Sequence, residues 1–230
     1  MNSKSCNLCK NGYIYSIENG EETVQRCKCK SKDLTEAKLN IAYDLAGIPY
    51  NYFNSKDFSY YSGDKSKDKV NELKHFVDNF EELKFASFYL HGLPSTQKTT
   101  IAKIVGSELI KKGYSVKYMI MNTLIKEIIN SDFEREGNRF NVDFLILDEA
   151  FDPIKMTVYK SNFQIPFLDT FIRERVETLK KSTMFISNVP LENVEYDYIR
   201  EVVRRNCLIY EFKDKITKQD AFSIYDLIGK

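Results

Sequence analysis

The sequence of 230 residues lacks several features that would assign a functional class at once. Its formal net charge is +1, so the overall electrostatic field neither favours nor disfavours binding to nucleic acid. No apolar run approaches a membrane span and no signal-peptide core is present, so we expect a cytosolic protein without a membrane partner. Internal repeats and low-complexity segments are also absent. A hydrophobic content of 43% predicts an ordinary folded α/β domain with a small additional module.

What the sequence does contain is a glycine-led loop between an apolar run and a helical pattern. Residues 92–99 match the phosphate-binding pattern of Gly, four residues, then Gly-Lys-Ser/Thr, except that Gln97 replaces the second glycine. Residues 85–90 predict a buried strand before the loop, and residues 99–112 predict a helix that ends at Gly113. This order directs backbone N–H groups at phosphates. The loop therefore predicts a site for a nucleoside triphosphate with magnesium.

Three residues of the motif have individual expected roles in this site. Lys98 is placed to reach the β- and γ-phosphates, and the Thr99 hydroxyl to bind Mg²⁺. Gln97 either crowds the phosphates or, with an allowed backbone, adds a polar contact to the nucleotide. Since the rest of the motif is retained, we expect ATP binding and slow hydrolysis. The predicted nucleotide-binding residues are Gly92, Pro94, Ser95, Thr96, Gln97, Lys98, Thr99 and Thr100.

A second motif is an apolar run that ends in two carboxylates. Residues 142–147 lead into Asp148 and Glu149, which predicts a central parallel strand with both acids at its carboxyl end. Ligands of open α/β sheets bind at that edge. We expect Asp148 to hold the Mg²⁺ shell and Glu149 to orient and deprotonate an attacking water. Asn188 ends another apolar run, so its amide is expected beside that water or the γ-phosphate.

Apolar runs alternate with helical patterns along the rest of the chain. Further strands are expected at residues 115–121, 183–188 and 207–212, which predicts a parallel, doubly wound sheet. Residues 55–69 read as a surface loop. Residues 31–46 predict a polar helical connector whose apolar side carries Leu34, Ala37, Leu39, Ile41, Ala42 and Leu45.

Four of the five cysteines lie in the first 29 residues. They form two close pairs, and residues 13–25 between the pairs alternate and turn as a β-hairpin does. In a cytosolic chain such pairs are typical of metal ligands and not of disulfides. Four thiolates leave no open coordination position, so we expect a structural Zn²⁺, with unmetallated thiols as the alternative. The predicted ligands are Cys6, Cys9, Cys27 and Cys29.

These motifs together resemble the DnaC/IstB-type branch of AAA+ ATPases, especially the replicative helicase loaders of bacteria and their phages. The resemblance rests on the cysteine pairs, the loop, the acidic strand, residues 182–188 and the segment 47–49. It implies an AAA+ P-loop ATPase that self-associates through its ATPase domain and binds a hexameric replicative helicase and single-stranded DNA. The expected domains are a zinc-binding module at 1–32, a helical connector at 33–54 and an AAA+ ATPase domain at 55–230.

The resemblance also implies roles for individual residues. Asn188 matches the sensor-1 position, and residues 199–205 match the region of the arginine finger, which places positive charge on the phosphoryl group in a neighbouring subunit. Arg204 is preferred as the finger, with Arg200 and Arg205 as alternatives. The sensor-2 arginine has no clear match, and the basic residues in that region are Lys213, Lys215 and Lys218.

Two other functions remain open. The chain is alternatively an IstB-like transposition helper that binds duplex DNA and a transposase, or a nucleotide-binding adaptor with weak or no hydrolysis because of Gln97. The cysteine module favours the loader, and the near-neutral charge disfavours a strong clamp on duplex DNA. No residue is assigned to DNA from the sequence, although the segments that would face a central channel of an oligomer carry Lys117, Lys126, Arg135 and Arg139.

Overall fold

The computed structural model describes residues 13–18, 21–26, 28–130, 140–152 and 164–215. The strands in these ranges are β1 (Tyr13–Glu18), β2 (Glu21–Arg26), β3 (Ser87–His91), β4 (Val116–Ile120), β5 (Phe144–Asp148), β6 (Ser182–Ser187) and β7 (Cys207–Glu211). The α-helices are α1 (Lys28–Ala46), α2 (Tyr50–Phe53), α3 (Lys67–Asp78), α4 (Phe80–Leu83), α5 (Lys98–Lys111), α6 (Met121–Asn130), α7 (Gln164–Arg173) and α8 (Asp197–Asn206). Short 3₁₀ turns lie at Phe58–Tyr60 and Leu191–Asn193, and a π-helical turn at Glu174–Thr178.

Strands β3 to β7 form one parallel sheet in the order β4-β5-β6-β3-β7. The parallel sheet predicted from the alternation of strands and helices is confirmed. Each predicted strand of this sheet lies within two residues of an observed one, because each coincides with a compact apolar run. No helix in the described ranges is both long enough and apolar enough to cross a membrane.

Successive side chains of each strand point to opposite faces of the sheet, and helices cover both faces. On one face Phe88, Ile146 and Ile186 pack with α1, α2, α3 and α5. On the other face Tyr89, Leu147 and Phe185 pack with α6, α7 and α8. The three layers place the carboxyl ends of β3, β5 and β6 side by side at one edge of the sheet.

Strands β1 and β2 form the predicted antiparallel hairpin, with Tyr13 opposite Arg26 and Glu18 opposite Glu21. Three of the cysteines expected to bind zinc, Cys6, Cys9 and Cys27, lie outside the described residues, as does the Cys29 side chain. The zinc site and the domain boundaries stay predictions.

The apolar side predicted for the helical connector is partly wrong. Helix α1 begins at Lys28, and its Ile41 and Leu45 side chains are 59% and 69% exposed. Tyr43 and Ala46 are buried instead, and the Tyr43 hydroxyl hydrogen-bonds the Ser107 side chain of α5. A tyrosine with a partner for its hydroxyl is as good a core residue as isoleucine, which spacing alone does not reveal.

The expected surface loop at residues 55–69 is also partly packed. It contains a 3₁₀ turn, and Tyr61 and Ser66 are buried. The Asp214 carboxylate accepts hydrogen bonds from the Tyr61 hydroxyl (2.8 Å) and from the backbone N–H groups of Asp64 (3.2 Å), Lys65 (3.0 Å) and Ser66 (2.8 Å). Burial alone would raise the pKa of Asp214, but these donors outweigh it and hold the pKa at about 2. We call this arrangement the Asp214 clamp.

The π-helical turn carries a buried arginine. Arg175 is 4% exposed, and its guanidinium donates to the carbonyl oxygens of Phe140 (2.7 Å), Val142 (2.9 Å) and Ser182 (3.1 Å) and to the Thr183 hydroxyl (2.9 Å). Burial lowers its pKa to about 10. The side chain therefore ties this turn to the amino-terminal ends of β5 and β6.

Candidate functional site

The loop at residues 92–97 joins β3 to α5 in a tightly constrained path. Gly92 has a φ of 145°, and a Cβ at this position would lie 2.2 Å from the carbonyl oxygen of Phe212. The Phe212 N–H donates to the carbonyl oxygen of His91 at 2.7 Å, which holds the segment after β7 against the loop. Only glycine fits this position, because it needs both the positive φ and the close approach.

The Lys98 ammonium lies inside the loop. It donates to the carbonyl oxygens of Gly92 (2.7 Å) and Leu93 (2.8 Å) and to the Thr96 hydroxyl (3.0 Å). Burial lowers its pKa to about 8, while the charge of Asp148 opposes that shift. A buried cation surrounded by a loop at a helix amino terminus is suited to binding anionic oxygens.

Asp148 ends β5 beside this loop. One carboxylate oxygen, Oδ2, accepts from the Thr99 hydroxyl at 3.0 Å and from the Tyr118 hydroxyl at 2.8 Å. The other oxygen, Oδ1, accepts from the Glu149 N–H at 2.8 Å. The structure thus brings together the two residues that the sequence assigns to magnesium, Thr99 and Asp148.

A cavity of about 610 Å³ lies at this edge of the sheet. Its walls include ten residues that the sequence assigns to the site: Pro94, Ser95, Thr96, Gln97, Lys98, Thr99, Thr100, Asp148, Glu149 and Asn188. Ile186, Ser187 and Lys215 complete the lining. Asn188 is exposed directly after β6, and Glu149 follows β5 with a φ of 55°. The cavity is therefore bounded by a cationic loop on one side and carboxylates and an amide on the other.

The side chains at this edge fit a magnesium ion. The Thr99 hydroxyl and the Asp148 carboxylate present oxygen ligands 3.0 Å apart at the cavity wall, and oxygen is the ligand that Mg²⁺ prefers. The adjoining loop offers an ammonium and a helix amino terminus to phosphate oxygens. The donors present therefore suit a nucleoside triphosphate with its metal.

No protein-family model matches the chain. The replicative helicase loader DnaC of Buchnera aphidicola subsp. Baizongia pistaciae (strain Bp) is 29% identical over 161 residues, which is 66% of this chain and 63% of that loader. The aligned part thus spans less than two thirds of the length of that relative.

Solved structures share the fold. A crystal structure of DnaI has a TM-score of 0.59 and 20% identity, covering 73% of this chain and 92% of that one. A crystal structure of the DnaC helicase loader has a TM-score of 0.56 and 18% identity, covering 72% and 100%. AMPPCP-bound DnaA from Aquifex aeolicus has a TM-score of 0.54 and 18% identity, covering 77% and 55%. The α/β fold with its parallel five-stranded sheet matches the fold of these structures.

The chain is similar to the DnaC-type helicase loaders. The resemblance stated from its motifs is thereby confirmed.

In this DnaC-like chain the unusual residue of the loop adopts a left-handed conformation. Gln97 has φ 61° and ψ 13°, a region in which glycine is unstrained and other residues are not. Its amide nitrogen and oxygen are both buried and have no hydrogen-bond partner among the described residues. The glycine expected from the pattern would have neither the strained backbone nor the unpartnered amide. Gln97 is therefore a strained residue in the wall of the cavity.

The three candidate arginines of this DnaC-like chain differ in their surroundings. Arg200 is 27% exposed, bonds the Asp197 carboxylate and donates to the Val194 carbonyl oxygen at 3.0 Å. Arg204 and Arg205 are 47% and 68% exposed and share the Glu201 carboxylate, at 3.1 Å and 2.8 Å. None of the three lines the cavity, so none contacts this site within its own chain.

Sequence reasoning about the site missed two residues, Tyr118 and Lys103. Tyr118 donates to Asp148, and the Lys103 ammonium lies 4.0 Å from the centre of the Tyr118 ring. Helical spacing places Lys103 one turn after Thr99, but no motif marks Tyr118. Lys117, which was considered for DNA, donates to the Leu45 carbonyl oxygen at 3.0 Å and so joins β4 to α1. Arg135 and Arg139 lie outside the described residues.

Proposed function

We propose that the protein is an ATP-dependent helicase loader that binds a replicative DNA helicase and single-stranded DNA during the initiation of replication. The observation that carries the proposal is the contact between Thr99 and Asp148. It joins the phosphate-type loop to the acidic strand at the wall of a cavity of about 610 Å³. Similarity to DnaC supports the biological role.

Different residues of the cavity serve nucleotide binding and hydrolysis. Lys98 and the backbone of the loop bind the phosphates, while Thr99 and Asp148 hold the magnesium ion. The ion that these two residues would hold would supply positive charge to the phosphate oxygens. Glu149 lies in the wall, where it orients a water and accepts its proton, and the exposed Asn188 amide positions that water.

Self-association would complete the site. Arg204 is exposed, pairs with Glu201 at the surface and lies outside the cavity of its own chain, so it can exchange this ion pair for a contact with the cavity of a neighbouring subunit. Arg200 is held by its own Asp197 and Val194, which leaves it less suited to this role. In a mixture of Arg204→Ala and Glu149→Gln subunits, ATP turnover above that of either variant alone would support a contact in trans. No recovery would count against it.

Nucleotide binding and partner binding are tested separately. We expect the wild type to bind a fluorescent ATP analogue with Mg²⁺ and to co-purify with a hexameric replicative helicase. Lys98→Ala should abolish nucleotide binding, whereas Lys111→Ala, at the other end of α5 and paired with Glu108, should not. Binding to duplex DNA and a transposase, without capture of a helicase, would favour the transposition helper instead.

A non-hydrolysing adaptor is the second candidate, and the strained Gln97 favours it. Steady-state ATP turnover with and without single-stranded DNA separates the two functions. Turnover above that of Glu149→Gln supports the loader with slow hydrolysis. Tight binding with no turnover under either condition supports the adaptor.

A further inference from the structure

The Asp148 carboxylate is held from three directions. Its Oδ2 accepts from Thr99 and Tyr118, and its Oδ1 from the Glu149 N–H. Thr99 lies in the first turn of α5, within the motif that the sequence assigns to the nucleotide, and the Glu149 N–H belongs to the residue directly after Asp148. Tyr118 is the donor that neither motif accounts for.

The position of Tyr118 follows from the register of the sheet. Ile120 of β4 pairs with Asp148 of β5, so Tyr118, two residues earlier, points to the same face as the carboxylate. That spacing brings the phenol hydroxyl to 2.8 Å from Oδ2. A phenylalanine would fill the same space without this hydrogen bond.

Lys103 supports Tyr118 from α5. Its ammonium lies 4.0 Å from the centre of the Tyr118 ring and 5.9 Å from that of Phe53, between two aromatic rings. A cation over the ring face stabilises the ring in this orientation. The positive charge of Lys103 also attracts the negative charge of the buried Asp148.

We propose that Tyr118, supported by Lys103, is a positioning residue that fixes the Asp148 carboxylate for the magnesium ion. The hydroxyl occupies one acceptor direction of Oδ2 and prevents the carboxylate from rotating away from Thr99. Partners that orient a ligand in this way typically contribute roughly 10- to 100-fold to metal affinity. The inference rests on the proposed binding of a magnesium nucleotide at this site.

The test is a magnesium titration of Tyr118→Phe, with binding of a fluorescent ATP analogue as the readout. We expect the Mg²⁺ concentration for half-maximal binding to rise roughly 10-fold, while binding in EDTA stays within about 2-fold of the wild type. Tyr114→Phe is the matched control, because it loses a 3.1 Å hydrogen bond to the exposed Glu81 and neither residue lines the cavity. Its magnesium dependence should equal that of the wild type.

Lys103→Met gives a second, independent measurement, because it keeps most of the length of the side chain and removes the charge. It should raise the Mg²⁺ midpoint less than Tyr118→Phe does. The double variant should fall short of the product of the two single effects, as expected for residues that act through one contact.

Two results would overturn the inference, and they differ from failure of the proposed function. A Tyr118→Phe protein that folds and has the wild-type magnesium midpoint shows that the phenol only packs. An equal loss of binding with and without Mg²⁺ shows a general disturbance of the cavity. If the wild type itself binds no nucleotide at any Mg²⁺ concentration, the proposed function fails and the positioning role fails with it.

Discussion

Gln97→Gly should stabilise the protein, although it removes a side chain from a cavity wall. A residue other than glycine in the left-handed region costs about 1–2 kcal/mol. A buried polar group without a partner costs about 1–3 kcal/mol. Against these gains, glycine makes the unfolded chain more flexible, at a cost of about 0.4–1 kcal/mol. With φ at 61° and the amide unpartnered, the net gain in unfolding free energy should be about 2 kcal/mol.

The assay is urea unfolding without nucleotide, so that ligand binding does not contribute. The midpoint should rise with an unchanged slope, and the melting temperature should rise by about 4–8 °C for a protein of this size. Gln97→Ala removes the amide but keeps the left-handed strain, and should be less stable than Gln97→Gly. Ser95→Gly is the matched control, because Ser95 has a φ of 65° in the same loop but is exposed. The free energy of unfolding of Ser95→Gly should rise only by the amount that relief of the backbone strain contributes.

A Gln97→Gly variant no more stable than the wild type would refute this reasoning, since neither strain nor an unpartnered amide would then be present. ATP affinity of the same variant decides between the two roles considered for Gln97. Tighter binding than in the wild type indicates that the side chain crowds the phosphates. Weaker binding indicates that the amide contacts the nucleotide.

Two further predictions concern stability. Arg175→Met leaves three backbone carbonyl oxygens without their donor and should destabilise the protein by about 3–5 kcal/mol in urea unfolding. Arg173→Met loses partly exposed ion pairs to Asp169 and Glu177 and a long hydrogen bond of 3.5 Å to the Tyr198 carbonyl oxygen, and should cost less than about 1 kcal/mol. Similar losses for the two variants would contradict the structural role of Arg175. Because the folded pKa of Asp214 is about 2, below its ordinary value of 3.8, its contribution to stability is complete above about pH 4 and is lost as the pH falls towards 2. Asp214→Asn should therefore be less stable than the wild type at pH 7 and approach it at pH 2 in melting experiments; a constant difference across this range would be inconsistent with the clamp.

The fold was predictable because its main signals are local. Each strand of the sheet coincides with an apolar run, and the loop before Lys98 and the acids after β5 are recognisable from short patterns. The burial of Tyr43 in place of Ile41 depends on a partner, Ser107, that lies 64 residues away in the chain. Spacing on one helix carries no information about such a partner.

The contacts of the cavity were only partly predictable for the same reason. The role of Tyr118 depends on the register between β4 and β5, which sets its hydroxyl beside Asp148. The Asp214 clamp joins backbone groups about 150 residues earlier in the chain to the segment that carries Lys215 into the cavity wall. Both contacts join residues that are far apart in the chain, and no local motif encodes such a contact.

The close approach of Gly92 to Phe212 has a consequence for local opening. Because the Phe212 N–H bonds the His91 carbonyl oxygen and the Phe212 carbonyl oxygen packs directly against Gly92, the start of the loop and the end of β7 are held against each other. The amides of β7 and of the loop should therefore exchange with solvent hydrogen as one cooperative unit. A ligand that closes on the loop would then slow exchange along a strand that it never touches.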